Sequence, residues 1–316
     1  MKPSPLVSIV IPAWNSERWL PETVQSAVAQ SYGNWEMVIV NDGSSDSTLQ
    51  VANHLAAGDS RIRVMSRENG GFCAARNTGF EHTDPASSYI IFLDADDLWE
   101  PDMLEHLVVL LEDNPQPFAA YGLCRYIDEL GNFIKVGELE EFERARWGVE
   151  NGKPSLWPPE RPTSFEVMAV YGPIVTVGCV LHRRTSLQSN NLFDESLGAF
   201  EDWDLWLRLC ESGSMLFSDR HVLRYRSHDS NHSKNGATDK KYETITRMRL
   251  LQRFPANTEK GRIVRVGARV HHRNHAKRYW REACNHLRKN QWLEGSADFL
   301  RSLRQRVAGL AFLCLY

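Results

Sequence analysis

Three carboxylates close an apolar run. Residues 90–98 read I-I-F-L-D-A-D-D-L, which places Asp94, Asp96 and Asp97 at its carboxyl end. A buried strand can deliver such side chains to one edge, but like charges so close repel unless something cationic compensates them. An oxygen-seeking divalent ion suits that task, because Mg²⁺ binds through one or two protein carboxylates together with phosphate oxygens. The cluster therefore points to metal-assisted chemistry at a diphosphate. Asp97 is assigned differently: Asp-Asp-Leu-Trp-Glu-Pro precedes a helical stretch, so Asp97 is expected to cap that helix. A second acidic group, Glu201, Asp202 and Asp204, could serve catalysis or merely occupy the first turn of a helix, where negative charge is favoured.

The elements that must position these groups follow from periodicity. Residues 6–11, 35–40, 62–65 and 89–93 have strand character, and helical spacing covers 17–30, a stretch from Ser45 or Asp46 to 57, 71–80 and 101–112. Short strands alternating with helices imply βαβ units and a mostly parallel sheet. Ligands of such sheets gather beyond the carboxyl ends of the strands, and the turns 12–15, 41–44 and 94–97 all fall there. Residues 119–127 and 133–136 read as a hairpin, and the charged, Pro-containing stretch 138–163 as an irregular excursion, either a lid or a plain surface loop. Residues 175–182 resume strand character, 201–210 are helical, and 215–218 and 221–225 are two short strands. Basic helical segments follow at 240–253, 267–287 and 297–313. The expected division is a catalytic domain over 1–236 and a basic helical C-terminal extension over 237–316.

Charge supports that division. The 316 residues carry 37 Lys and Arg against 40 Asp and Glu, a net of −3, yet residues 240–316 sum to +13 and the preceding 239 to −16. Such polarity suggests a tail that meets an anionic surface. The six cysteines lack Cys-x-x-Cys spacing and read as reduced core residues. The apolar stretch near the start is too short and strand-like for a signal peptide, and the ten residues 307–316 are too few to span a bilayer as a helix. His271, His272 and His275 fall in a basic helical stretch and read as a solvated face.

Five motifs in order, V-S-I-V-I-P-A-W-N, V-N-D-G-S-S-D, E-N-G-G-F-C-A-A-R-N-T-G, F-L-D-A-D-D and F-E-D-W-D-L-W-L-R, resemble those of the family-2 glycosyltransferases, and Y-R-S-H-D-S-N-H-S resembles that family's last active-site loop. The resemblance implies an α/β fold of the GT-A nucleotide-diphospho-sugar transferase type, its mostly parallel central sheet flanked by helices. It also implies roles. Pro12, Ala13 and Asn15 would shape the nucleotide pocket, Glu17 would help bind the nucleotide, and Asp42 would meet the base, typically uracil. Arg76 would contact the nucleotide or diphosphate, with Asn77 supporting it. Asp94-Ala95-Asp96 matches the family's metal and nucleotide motif, with Asp96 as direct ligand and Asp94 on the ribose or in the metal shell. Asp202 matches the catalytic base, with Glu201 beside it. Trp14 stands where tyrosine is commoner and Asn41 where aspartate is frequent.

The implied chemistry is inverting transfer of a sugar from a UDP-linked donor to a hydroxyl of a glycan or lipid-linked acceptor, with Mn²⁺ or Mg²⁺ on the diphosphate. Arg226 and His228 are candidates to grip the diphosphate, and His228 also to complete the metal shell. A sugar nucleotidyltransferase is the alternative enzyme, but no Gly-rich, Arg/Lys phosphate loop stands near the N-terminus. A carbohydrate- or nucleic-acid-binding protein is the non-enzymatic alternative; no nucleic-acid-reading motif accompanies the basic tail, so no nucleic-acid partner is expected. The expected location is the cytoplasm, peripherally at the membrane face. The basic helices would meet anionic lipid, form a homodimer interface, or pack on the catalytic domain.

Overall fold

Continuous apolar stretches become strands buried on both faces, as parallel sheets require. The computed structural model describes residues 4–135, 143–170, 172–188, 192–231, 236–288, 297 and 300–302. Strand β1 (Val7–Ala13) leads to helix α1 (Leu20–Val28), β2 (Trp35–Asp42), α2 (Thr48–Gly58), β3 (Ile62–Arg67), α3 (Phe72–Glu81) and β4 (Tyr89–Phe92). A two-residue strand β5 (Leu98–Trp99), helix α4 (Met103–Asp113) and β6 (Ala119–Ile127) follow. After β7 (Trp147–Glu150), β8 (Lys153–Leu156) and the short α5 (Phe165–Met168) come a 3₁₀ turn (Val177–Cys179), β9 (Val180–Arg183), α6 (Arg184–Gln188), α7 (Glu201–Cys210) and β10 (Met215–Arg226). Helices α8 (Gly236–Arg253) and α9 (Glu259–Arg288) are the last described elements of length.

Eight strands form one sheet in the order β3-β2-β1-β4-β9-β6-β10-β5. β1 to β4 pair in parallel, β9 runs against both β4 and β6, β10 is parallel to β6, and β5 runs against β10. This mixed α/β architecture, a mostly parallel sheet flanked by helices, is the expected one. Two compact units divide the chain: 1–145 with 158–165 and 173–242, and 146–157 with 166–172 and 243–316.

Local geometry corrects several expectations. The stretch 138–163 is not irregular throughout, since β7 and β8 form a hairpin whose turn residues Asn151 and Gly152 both have positive φ. That is the Asn-Gly signal of a two-residue turn, whose twist matches that of the strands it joins. The expected strands 215–218 and 221–225 are one, β10, interrupted by register shifts near His221. Of the expected return arm 133–136, residue 136 lies outside the described residues, and the described part pairs through a bridge between Ile127 and Phe133. Asp97 caps nothing: α4 starts at Met103 after Asp102, and β5 intervenes. The expected helix 267–287 starts earlier, at Glu259. Most of the segment 297–313 lies outside the described residues, as does His232.

One close approach sets where α3 lies. A Cβ on Gly79 would stand 2.3 Å from Val10 Cγ1 and 3.1 Å from Val40 Cγ2, so only glycine lets the helix rest directly on β1 and β2. The same helix carries Arg76. Gly79→Val is expected to cost about 1–3 kcal/mol through overpacking, read as a lower urea midpoint at unchanged m-value.

Candidate functional site

At the ends of β1 and β2, two loops are laced together. Asn15, in the left-handed region at φ 49°, donates its N–H to Ser44 Oγ at 3.1 Å and accepts from Ser45 N–H at 2.9 Å. Ser47 N–H donates to Glu17 Oε2 at 2.8 Å, and Glu17 N–H to Asp46 at 3.2 Å. Asp46 also accepts from Thr48 N–H at 3.0 Å, opening α2 although Ser47 holds the cap position. Pro12 and Ala13 end β1 beside these loops, and Ala13 O accepts from Ser44 Oγ. Glu17, expected to touch the nucleotide, thus organises the neighbouring loop.

Asp42 closes β2 and is buried. Its carboxylate accepts from Gly70 N–H at 3.1 Å and Gly71 N–H at 2.8 Å and pairs with Arg67 Nε at 3.1 Å. Those bonds order the turn, with Gly71 at φ 85°, from which α3 departs. Five residues into α3, Arg76 is buried and holds two carboxylates, Nη2 on Asp94 Oδ1 and Nη1 on Glu201 Oε1, each at 2.6 Å. Burial opposes its charge, but the two carboxylates outweigh burial and raise its pKa above the ordinary arginine value. Asn77 binds Phe193 O at 3.0 Å and so anchors the segment leading to α7.

The D-A-D turn is held from several sides. Thr23 Oγ1 donates to Ala95 O at 2.9 Å, and Thr176 Oγ1 donates to Asp94 Oδ2 at 3.1 Å. His228 Nε2 lies 2.8 Å from Asp96 Oδ2, and its ring stacks on Trp19 at 5.5 Å between centroids. Asp94 and Asp96 keep 30% and 25% side-chain exposure and so remain reachable. Arg226, expected to grip diphosphate, is instead only 1% exposed. Its N–H donates to Asp97 Oδ1 at 3.0 Å, and its guanidinium reaches Asp96 O at 2.9 Å, Glu129 O at 3.2 Å and the Glu22 carboxylate, lying over Trp19 at 4.6 Å. It is a clip between the last strand and the acidic turn. Asp97 is buried with Oδ2 unpartnered; burial, then the charges of Asp96 and Asp94, raise its pKa well above the usual carboxylate value.

Helix α7 begins at Glu201 after Phe200, a non-glycine residue in the left-handed region at φ 61°. Such backbone costs about 1–3 kcal/mol and clusters at functional sites. The turn brings Glu201 to Arg76 and sets Asp202 next to it, with Asp202 Oδ1 accepting from Trp203 N–H at 2.6 Å. Burial first, and then the charge of Glu201, push the Asp202 carboxyl up to about 8, with Arg76 opposing. Its proton affinity is therefore that of a group able to accept a proton near neutral pH.

Sequence reasoning missed Thr176, Trp19, Glu22 and Phe200. The contacts of Thr176, Trp19 and Glu22 join residues far apart in the chain, up to 204 positions for Glu22 and Arg226, and the left-handed backbone of Phe200 has no residue-type signal. Among the described residues no three His, Cys, Asp or Glu side chains converge as a metal shell. Asp96 and His228 nonetheless fit a divalent ion. A carboxylate oxygen and an imidazole nitrogen stand side by side with the Asp96 side chain still partly exposed, leaving other positions to phosphate and water. Asp94 is directed to Arg76 and Thr176 and would lie outside direct contact.

A family model described as Glycosyl transferase family 2 matches residues 8–169, which include the D-A-D turn and stop before Glu201 and Asp202. An uncharacterized glycosyltransferase of Rickettsia typhi is 31% identical over 229 residues, 72% of this chain and 65% of its own length. Chondroitin synthase of Pasteurella multocida is 29% identical over 256 residues, 79% of this chain and 23% of its own. The chain thus spans less than two thirds of either relative. Among solved structures, Staphylococcus aureus TarS 1-349 in complex with UDP-GlcNAc superposes with TM-score 0.63 at 18% identity, covering 96% of this chain and 83% of that one. The mannosyltransferase PcManGT from Pyrobaculum calidifontis in complex with GDP-Man and Mn²⁺ gives TM-score 0.65 at 16% identity, covering 100% and 82%. At those identities the likeness is one of fold.

Arg76→Gln is expected to cost about 3 kcal/mol or more, because Glu201 is left as a buried unpaired charge. Urea unfolding measures it, and a loss below about 1 kcal/mol would contradict the buried-pair account.

Proposed function

The chain belongs to glycosyl transferase family 2, and from that premise we propose that it moves a sugar from a UDP-linked donor to a hydroxyl of a glycan or lipid-linked acceptor at the cytoplasmic side of a membrane, with inversion. The observation that carries the reading is the double ion pair of Arg76, which ties the helix bearing Asp202 to the strand end bearing Asp94 and Asp96. Donor chemistry and proton-accepting chemistry then meet on either side of one arginine. The UDP-GlcNAc complex of TarS supports the donor class, and chondroitin synthase supports a glycan acceptor.

The residues divide the work. Asp202 takes the proton of the acceptor hydroxyl as its oxygen bonds to the anomeric carbon, and the bond to the nucleoside diphosphate breaks on the opposite face. Its raised proton affinity suits that step, because a carboxylate of ordinary pKa is a weaker acceptor. Glu201 pairs with Arg76 and fixes the first turn of α7. Asp94 is turned toward Arg76 and Thr176, which aims its carboxylate for a ribose hydroxyl. Asp96 and His228 would hold Mn²⁺ or Mg²⁺, which when bound supplies Lewis-acid stabilisation of the leaving diphosphate. Asn15, Glu17 and Asp42 keep the loops around the nucleotide in place, with Pro12 and Ala13 forming its floor.

Asp202→Asn is expected to bind donor normally by calorimetry and to lose transfer by about 10²–10⁴-fold; near-normal transfer would remove Asp202 from the role of base. Because the base acts only when ionised and its pKa is pushed up to about 8, the wild-type rate should rise with pH through neutrality and level off above that value. A rate already flat at acidic pH would argue against the assignment. Asp96→Ala should abolish the Mn²⁺-dependent part of donor binding, and an unchanged titration with and without Mn²⁺ would move the metal elsewhere.

A further inference from the structure

The second unit exposes a row of cations. Along α9, Arg262, Arg269, Arg273, Lys277 and Trp280 are all exposed. Their spacing puts them on one face: at 3.6 residues per turn they fall within an arc of about 80° and along about 27 Å of helix. Ile263, Val264 and Ala268 are buried on other faces. Gly267 lies against the backbone of Ala169, where a Cβ would stand 2.1 Å from the carbonyl oxygen. That contact fixes the rotation of the helix and turns the cationic face outward.

Inner and outer charges are treated differently. Arg247 is buried and pairs with Glu243 at 3.2 Å, and His271, expected on a solvated face, also meets Glu243 at 3.0 Å. Arg269, Arg273 and Lys277 make no ion pair among the described residues. Exposed apolar groups occur in the same unit. Trp280 continues the row, and α9 packs against the β7–β8 hairpin, whose cross-strand pair Trp147 and Leu156 is exposed.

Cations alone would suit any polyanion. Exposed tryptophan and leucine select among them, because indole rings seat at the headgroup level and an aliphatic side chain gains by entering the acyl boundary. A phosphate backbone offers Leu156 nothing, and no nucleic-acid-reading motif is present. We propose that the Arg262–Trp280 face of α9, with Trp147 and Leu156, docks this chain on an anionic lipid membrane. No helix among the described residues is long and apolar enough to cross a membrane, so attachment through this face is peripheral and salt-sensitive. None of these residues belongs to the carboxylate site.

Flotation of the full chain with phosphatidylcholine vesicles, with and without phosphatidylglycerol, tests the assignment. Binding is expected only with phosphatidylglycerol, and release in about 1 M salt, where the screening length shrinks to about 3 Å. Together Arg269→Gln, Arg273→Gln and Lys277→Gln should lower partitioning about a hundredfold, at about fivefold per cation, while Mn²⁺-dependent donor hydrolysis is unchanged. Equal binding to neutral vesicles, or wild-type partitioning by the triple variant, overturns the proposal. So does retention of the wild type at high salt, which needs no variant, or tighter binding to duplex DNA or single-stranded RNA than to the anionic vesicles.

Discussion

The meeting of the D-A-D turn with the first turn of α7 depends on Arg76. It is a buried cation that touches Asp94 at the end of β4 and Glu201 at the start of α7, two elements from distant parts of the chain. Buried charge is tolerated only when paired, and a guanidinium offers donors in a fixed fork that can serve two carboxylates at once. Position is thereby transmitted: where α3 rests on the sheet decides where Arg76 lies, and Arg76 decides how far α7 stands from the D-A-D turn. Gly79, one helical turn along, sets that resting position by having no side chain.

Acids of the same chemical type end in different states because their surroundings differ. Asp42 is satisfied by two backbone N–H groups and an arginine, and serves as a loop anchor. Asp97 is enclosed, and burial, then the charges of Asp96 and Asp94, raise its pKa. Asp202 is pushed up to about 8 by burial and then by the charge of Glu201. Asp94 and Asp96 keep partial exposure and so remain available to an incoming ligand. One acidic region thus contains a loop anchor, an enclosed carboxyl of raised pKa, a second raised carboxyl at the start of α7, and two partly exposed carboxylates.

Strands, helices and their order were legible because parallel strands buried on both faces must be continuously apolar, and residues 6–11, 35–40 and 89–93 are. The convergence of the turns after β1, β2 and β4 followed from topology alone. Illegible were groups whose role depends on a partner far away. Arg226 has the look of a phosphate ligand, yet its environment makes it a clip between Asp96, Glu129 and Glu22. Asp97 has the sequence context of a helix cap, yet two residues of strand pairing intervene before α4. Asn151-Gly152 was the reverse case: a local turn signal was present, but charge and proline around it suggested irregular chain.

The clip formed by Arg226 also orders events in time. Its contact with Glu22 closes a loop of 204 residues, and those of His228 with Asp96 and of Arg76 with Glu201 close loops of 132 and 125. Such closures are entropically costly and form after local structure. On the ribosome the first hundred residues can lay down β1 to β4 and present all three aspartates of the D-A-D-D turn, but neither the histidine beside Asp96 nor the arginine behind it yet exists. Synthesis runs from the N-terminus, so these contacts to the acidic turn arise only once β10 has been made and paired beside β6. A chain stopped before β10 could already form the Arg76–Asp94 and Arg67–Asp42 pairs, but it would lack the histidine on Asp96 and the arginine clip behind it.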